Sequence, residues 1–444
     1  MSKRIVIVAV VVCFSLLLYK GSMFLVDKLD PYAKVSDSNE EEITSQAFEW
    51  PQFHGPNRDN RSVETGLLKN WPKDGPKLLW KYQGAGKGWS SPSLAGGYIF
   101  VTGTEDEKEF VSCLNLSGAL KWKVYYGSAS KMYFGARSSP TIDDGFLYVI
   151  SGTGEVVCIN IKKQMIEWKI NGYKLFHGKC HQFGIAESPL VFDGKVFYTP
   201  CGKRTTMVAF DMHTGEIIWE CQSIDDQSAY VSPMLIRRGT QDIIVTLTGM
   251  NIIGADPKTG ELLWVYPYVE NHKRQEKINT LIQHAITPVY YDGQLYVTSG
   301  YDHAGIALKL SEDGREISLL WEDRTLDCHH GGVILHDGYI YGSSWHNNLN
   351  GNCVCLDWKT GQVMYDHKWI GKGSIIYADQ MLYCYEEREG NLALVKPSPE
   401  GFGIVSKFQI KDGTGEHWAH PVICNRRLYI RRGATLMAYD IKQK

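Results

Sequence analysis

Residues 326–335 read Leu-Asp-Cys-His-His-Gly-Gly-Val-Ile-Leu, a cysteine and two adjacent histidines ahead of paired glycines. Thiolate and imidazole are the side chains that hold zinc and copper, and imidazole is also the usual carrier of a proton near neutral pH. A second group, Phe-His-Gly-Lys-Cys-His-Gln-Phe-Gly, sets His177 and His181 four apart around Cys180. That spacing turns both rings to one side only on a helix. The glycine inside it and the lack of a helical period nearby argue against one. The eleven cysteines show no Cys-x-x-Cys, no vicinal pair and no zinc-finger spacing. No metal site is expected from them, and the histidines must be judged by the elements that carry them.

Those elements repeat. A Ser-Pro or its equivalent, an apolar pair, an Asp-Gly-like turn and a β-rich run recur eight times, 42 to 55 residues apart. The copies start at Ser91, Ser139, Ser188, Ser232, Thr287, Gly331, Gly373 and His420. Full copies then carry an Asp or Asn, a tight turn and an aromatic residue eight places on. Asn160 and Trp168, Asp211 and Trp219, Asp256 and Trp264, and Asp357 and Tyr365 are such pairs. Aspartate bonds backbone further along such a turn and glycine takes the positive φ that closes it. Each copy supplies four short strands, the sequence signature of a propeller blade. Small residues two places before the turn, Cys113, Cys158, Ala209, Gly254, Cys355 and Ala438, are expected on buried sheet faces, where cysteine acts as a small hydrophobe.

The last copy lacks an outer strand, and a surplus strand with Trp80 precedes the first. Joining them closes an eight-bladed all-β propeller, seven blades being the alternative, and removes two sheet edges. The residues just before each Ser-Pro then line one end of the central channel: Trp89, Arg137, Glu187, Tyr230, His284, His329, His330, Lys372, Trp418 and His420. Convergent cations, imidazoles, a carboxylate and indoles make this funnel the candidate ligand site. Loops after the second strands add His181, Asp302, His303, Trp345 and His346 as secondary candidates. In this register His329 and His330 open the sixth blade's inner strand, and Cys328 is a neighbour by chain order only.

The chain has 444 residues and a formal net charge of −2, so no global field draws it to nucleic acid. Lys3 and Arg4 precede an apolar run from Ile5 to Tyr19. Residues 1–26 are expected to be a signal-anchor, with a cleaved signal peptide as the alternative. Val12 before Cys13 makes a poor lipidation site. Residues 27–49 read as a flexible acidic tether, 50–75 as an extension packing on the propeller, and 76–444 as the propeller. The chain is expected to face outward from the cytoplasmic membrane, on the periplasmic side.

The Asp-x-x-x-Gly…Trp repeat over residues 76–444 resembles the pyrroloquinoline-quinone (PQQ)-type propeller family. "WPQFHGPNRDN", from Trp50 to Asn60, is similar to a segment that precedes such propellers in membrane-associated bacterial proteins. The family includes quinone-dependent alcohol and sugar dehydrogenases and, more distantly, the Bam-complex lipoprotein B, a scaffold without cofactor. The resemblance therefore implies the fold and leaves two functions open. A binding or scaffold propeller would take protein partners or a small-molecule or carbohydrate ligand. A quinoprotein would need PQQ with Ca²⁺; Trp89 or Trp418 would stack on the ring, Arg137 or Lys372 bind its carboxylates and Glu187 ligate the ion. The vicinal disulfide and catalytic carboxylate motifs of the dehydrogenases have no counterpart here, so catalytic residues are not assigned.

Overall fold

The turns that the repeat predicts do close in the expected way. In a computed structural model, which describes residues 49–272 and 283–443, Asp211 accepts the backbone N–H groups of His213 and Thr214 at 2.9 and 2.8 Å. Asp256 and Asp357 do the same for their own turns. Gly215 follows at φ +75° and donates to the Asp211 carbonyl at 3.0 Å.

The aromatic residue eight places on explains why the turn is kept. Trp168 lies against Gly215 of the next blade and donates its indole N–H to the Met212 carbonyl there, at 2.9 Å. Trp80 and Trp219 reach Leu116 and Pro257 of their next blades in the same manner. Within its own blade each tryptophan faces the small residue: Cys113 pairs with Trp122, Cys158 with Trp168, Ala209 with Trp219, and Ala438 with Trp80. Small partner, indole and glycine turn therefore form one inter-blade contact. A β-carbon on Gly215 would stand 2.8 Å from the Trp168 ring. Gly215→Ala, strained in φ as well, is expected to cost about 1–3 kcal/mol, read as a lowered urea midpoint.

Among the described residues the strands form eight sheets in which four antiparallel strands make each blade. The first blade holds Ser93–Ala95, Tyr98–Glu105, Lys108–Asn115 and Leu120–Ser128; the seventh holds Gly373–Ala378, Met381–Glu386, Asn391–Lys396 and Gly403–Gln409. Strand Lys77–Tyr82 pairs antiparallel with Thr435–Asp440 and completes the eighth blade, closing the ring. The nine cysteines from Cys113 to Cys384 are free thiols.

The inner strands are tied to each other by the Ser-Pro serines. Each hydroxyl accepts the N–H of the serine one blade earlier: Ser91 to Ser139, Ser139 to Ser188, and Ser188 to Ser232, all at 2.9 Å. The proline beside it has no N–H to leave unpaired at the channel edge. In the sixth blade Gly331 stands where serine would be, because the Gly373 carbonyl lies 1.9 Å from where a β-carbon would sit.

The residues from Trp50 to Ser62 close the channel from the turn ends of the inner strands. Trp50 exchanges both backbone hydrogen bonds with Leu94, Pro51 accepts from Ile142, and Arg61–Ser62 pairs parallel with Tyr377–Ala378. Arg58, 2% exposed, reaches to the Ser-Pro level. It donates to the carbonyls of Ser188, Pro189 and Pro233 and, through Nε, to Gln52. No described helix is long and apolar enough to cross a membrane. The expected anchor and nearly all of the acidic tether lie outside the described residues.

Candidate funnel site

Two kinds of loop meet at the end of the channel opposite the extension. One precedes each inner strand; the other joins the second strand of a blade to its third. Chain reversal at every strand puts both on the same face. From the first kind come Trp89, Arg137, His329, His330, Lys372 and Trp418. From the second come Tyr301, Trp345 and Glu387.

The rings touch in sequence around the mouth. Trp89 meets Trp418 with centroids 5.4 Å apart, and Trp418 meets His330 at 5.9 Å. His330 meets His329 at 4.7 Å, His329 meets Tyr301 at 4.6 Å, and Tyr301 meets Trp345 at 4.9 Å. On the other side Trp418 meets Tyr133, which packs edge-on against Phe183, with His181 and Tyr230 beyond.

The floor is charged and built around one carboxylate shared by two side chains. Glu387 pairs with Lys372 through one carboxylate oxygen and with His330 Nε2 at 2.8 Å through the other. Burial pushes the Glu387 carboxyl upward, and the charges of His330 and Lys372 overcome this and hold it below the usual glutamate range. Lys372 Nζ also lies 3.4 Å from His329 Nδ1. An ammonium only donates, so Nδ1 accepts and the His329 proton sits on Nε2. Burial first, then the charges of His330 and Lys372, press the His329 pKa well down, leaving the ring neutral.

Arg137 has a different task from carboxylate binding. It stacks over Trp89 at 5.4 Å and donates to the carbonyls of Phe183, Met132 and Tyr133. It holds both aromatic loops against the indole. Below the floor, His420 donates from Nε2 to the His330 carbonyl at 2.7 Å, so its Nδ1 accepts from His54 Nε2 at 2.8 Å. Burial lowers the His420 pKa to about 3 and that of His54 well below its ordinary value, so both rings are neutral. The chain of contacts joins the extension to the funnel.

Other sequence candidates stand elsewhere. Glu187 is buried, turned to the Thr199 backbone N–H at 3.2 Å, and burial raises its pKa to about 8. His284 is enclosed between Ser299 and the Gly249 carbonyl, and His303 packs on it at 5.3 Å. His346 and Asp302 are exposed at loop tips. His177 is exposed with φ 51°, just past the one-turn helix Gly172–Leu175, which excludes a helical histidine pair with His181. Cys328 is buried and donates its thiol to the Gly332 carbonyl. Among the described residues no set of three His, Cys, Asp or Glu could hold a metal ion.

The family model described as outer membrane protein assembly factor BamB matches residues 107–366, more than half of the chain. This chain belongs to the BamB family of PQQ-like propellers. BamB from Moraxella catarrhalis aligns with a TM-score of 0.59 at 13% identity, over 82% of this chain and 99% of that one. A europium-containing methanol dehydrogenase aligns at 0.62 and 11% identity, over 88% and 91%. A quinoprotein ethanol dehydrogenase of Pseudomonas aeruginosa is 22% identical over 166 residues, 34% of this chain and 26% of that protein. The chain thus matches only about a quarter of that curated relative, and at these identities the solved structures share its fold.

Within this BamB-family propeller the sequence reading missed Tyr133, Phe183, Tyr301 and Glu387, besides His54 and Arg58 of the extension. Glu387 carried a usable signal. It follows a second strand, as Asp302 and Trp345 do, in the run Cys-Tyr-Glu-Glu-Arg-Glu. Its neighbour Glu386 turns away and accepts the N–H groups of Arg388, Glu389 and Asn391.

Proposed function

We propose that this protein is a membrane-anchored propeller of the cell envelope that binds a small ligand at its funnel mouth and carries out no quinone chemistry. The observation that carries this reading is the ring of aromatic side chains over a floor whose one carboxylate is already engaged by Lys372 and His330. Such a surface offers stacking faces and hydrogen-bonding groups in a concavity, which is how small-ligand sites are usually built. The apolar run behind Lys3-Arg4 supports the envelope location.

The quinoprotein alternative needs a divalent ion held by carboxylates beside the quinone. The donors present do not fit that group. Glu387 is committed to Lys372 and His330, Glu187 is buried and protonated near neutral pH, and Arg137 is spent on three carbonyls. The roles first expected of Glu187 as an ion ligand and Arg137 as a carboxylate binder therefore do not suit the geometry.

The test uses the full-length protein in detergent and the low-molecular-mass fraction of envelope extract. Tryptophan fluorescence and melting temperature are expected to shift with the extract and not with PQQ plus Ca²⁺. The shift should disappear in Trp418→Ala. A response to PQQ plus Ca²⁺, or dye-linked alcohol oxidation, would overturn the reading.

A further inference from the structure

We infer that the funnel ligand is a saccharide of more than one ring. The inference rests on the binding reading above and concerns the class of ligand. Three features of the mouth select it. First, the side chains that touch in sequence around its walls are aromatic rings and imidazoles. Second, the one buried carboxylate of the floor is already engaged: Glu387 faces both Lys372 and His330, and Arg137 gives three of its donors to carbonyls. A phosphate or polycarboxylate reaching Lys372 would have to compete with the buried Glu387 carboxylate beside it.

Third, the polar atoms left to a ligand are of mixed sense. His329 presents an N–H through Nε2, whereas His181 Nδ1 is buried with no hydrogen-bond partner among the described residues. A buried polar atom left unpaired is costly, so a group able to complete it gains affinity. A hydroxyl donates and accepts at once, and it can also bridge an ammonium and a carboxylate such as Lys372 and Glu387. A pyranose ring carries such hydroxyls at its edge and C–H bonds on its face, which lie flat on an indole. Trp89 and Trp418 form one stacking platform, and Tyr133, 54% exposed, presents another beside Trp418. Two platforms exceed what one ring can cover, hence an oligosaccharide.

The experiment titrates full-length protein with cellotriose, maltotriose and chitotriose, read by tryptophan fluorescence and calorimetry, beside glucose and inorganic phosphate. At least one trisaccharide is expected to bind about tenfold more tightly than glucose, and phosphate not at all. Trp418→Ala and Tyr133→Ala should each weaken binding about tenfold, the cost of losing one stacking face at a binding hot spot. Trp418→Phe should retain most of the affinity. Tyr133 is 54% exposed, so its truncation leaves the fold intact and separates binding from stability. A shift with envelope extract but with none of the saccharides overturns the ligand class and leaves the binding reading standing. No shift with either overturns both, and binding of phosphate in place of sugar overturns the class.

Discussion

Glu387→Leu is expected to lower the stability of the propeller by about 3–5 kcal/mol, the usual cost of leaving one charge of a buried pair without its partner. Lys372 and Glu387 expose only 4% and 1% of their side chains, so water cannot take over the ammonium. Lys372→Met should cost less. It leaves Glu387 with His330 at 2.8 Å, a second cation that the leucine variant does not leave for Lys372. The double variant, apolar on both sides, should recover much of the loss, giving a coupling energy that is a large share of the single effects. Urea midpoints of the four proteins measure this cycle. If the single losses simply added, the two groups would not be partners. The result also bears on the site, because a carboxylate held by its own cations leaves a neutral ligand no ion pair to displace.

Much of the propeller was legible because each blade contact is local in sequence. The Asp turn, its glycine and the tryptophan eight places after an Asp or Asn sit within one repeat, and each has a single physical reason for its type. Ser-Pro is legible for the same cause: serine supplies a hydroxyl acceptor to the neighbouring blade and proline removes an edge donor. The funnel was half legible. Trp89, Arg137, His329, His330, Lys372 and Trp418 occupy a fixed register position, so alignment of the repeats placed them at one end of the channel. Tyr133 and Phe183 stand in loops of unequal length that no register fixes, and Glu387 looked like one charge in a charged run. Burial decided the rest. Glu187 and His284 hold the right register, yet their side chains turn back into the blade, to Thr199 and to Ser299. Arg58 could not be read from its own segment at all, since its partners lie more than 100 residues away at Ser188, Pro189 and Pro233.

The turned-in carboxyl of Glu187 has a consequence in solution: stability should peak near pH 6.5 and fall by about 3 kcal/mol by pH 8. Burial raises the folded pKa of Glu187 from its ordinary 4.5 to about 8, against the opposing pull of Thr199 and of the Arg58 charge. Between those values the unfolded chain has lost a proton that the folded chain keeps, so stability drops by about 1.4 kcal/mol per pH unit until about pH 8 and then levels. Glu109 and Asp327, both raised to about 7 chiefly by burial, act in the same direction over a shorter range. The buried histidines act oppositely. His284 and His420 are lowered to about 3 and His417 to about 4, again chiefly by burial. Their stabilisation is complete above pH 6.5 and is lost as acid protonates the unfolded chain first. The acid limb is therefore set by histidines and the alkaline limb mainly by one glutamate. Glu187→Gln keeps the shape of the protonated acid and cannot ionise, so it should gain about 2 kcal/mol over the native protein between pH 6.5 and 8 while leaving the acid limb in place. Urea midpoints across pH 4 to 9 decide the matter, and an alkaline limb of undiminished slope in the glutamine variant would place the responsible proton elsewhere.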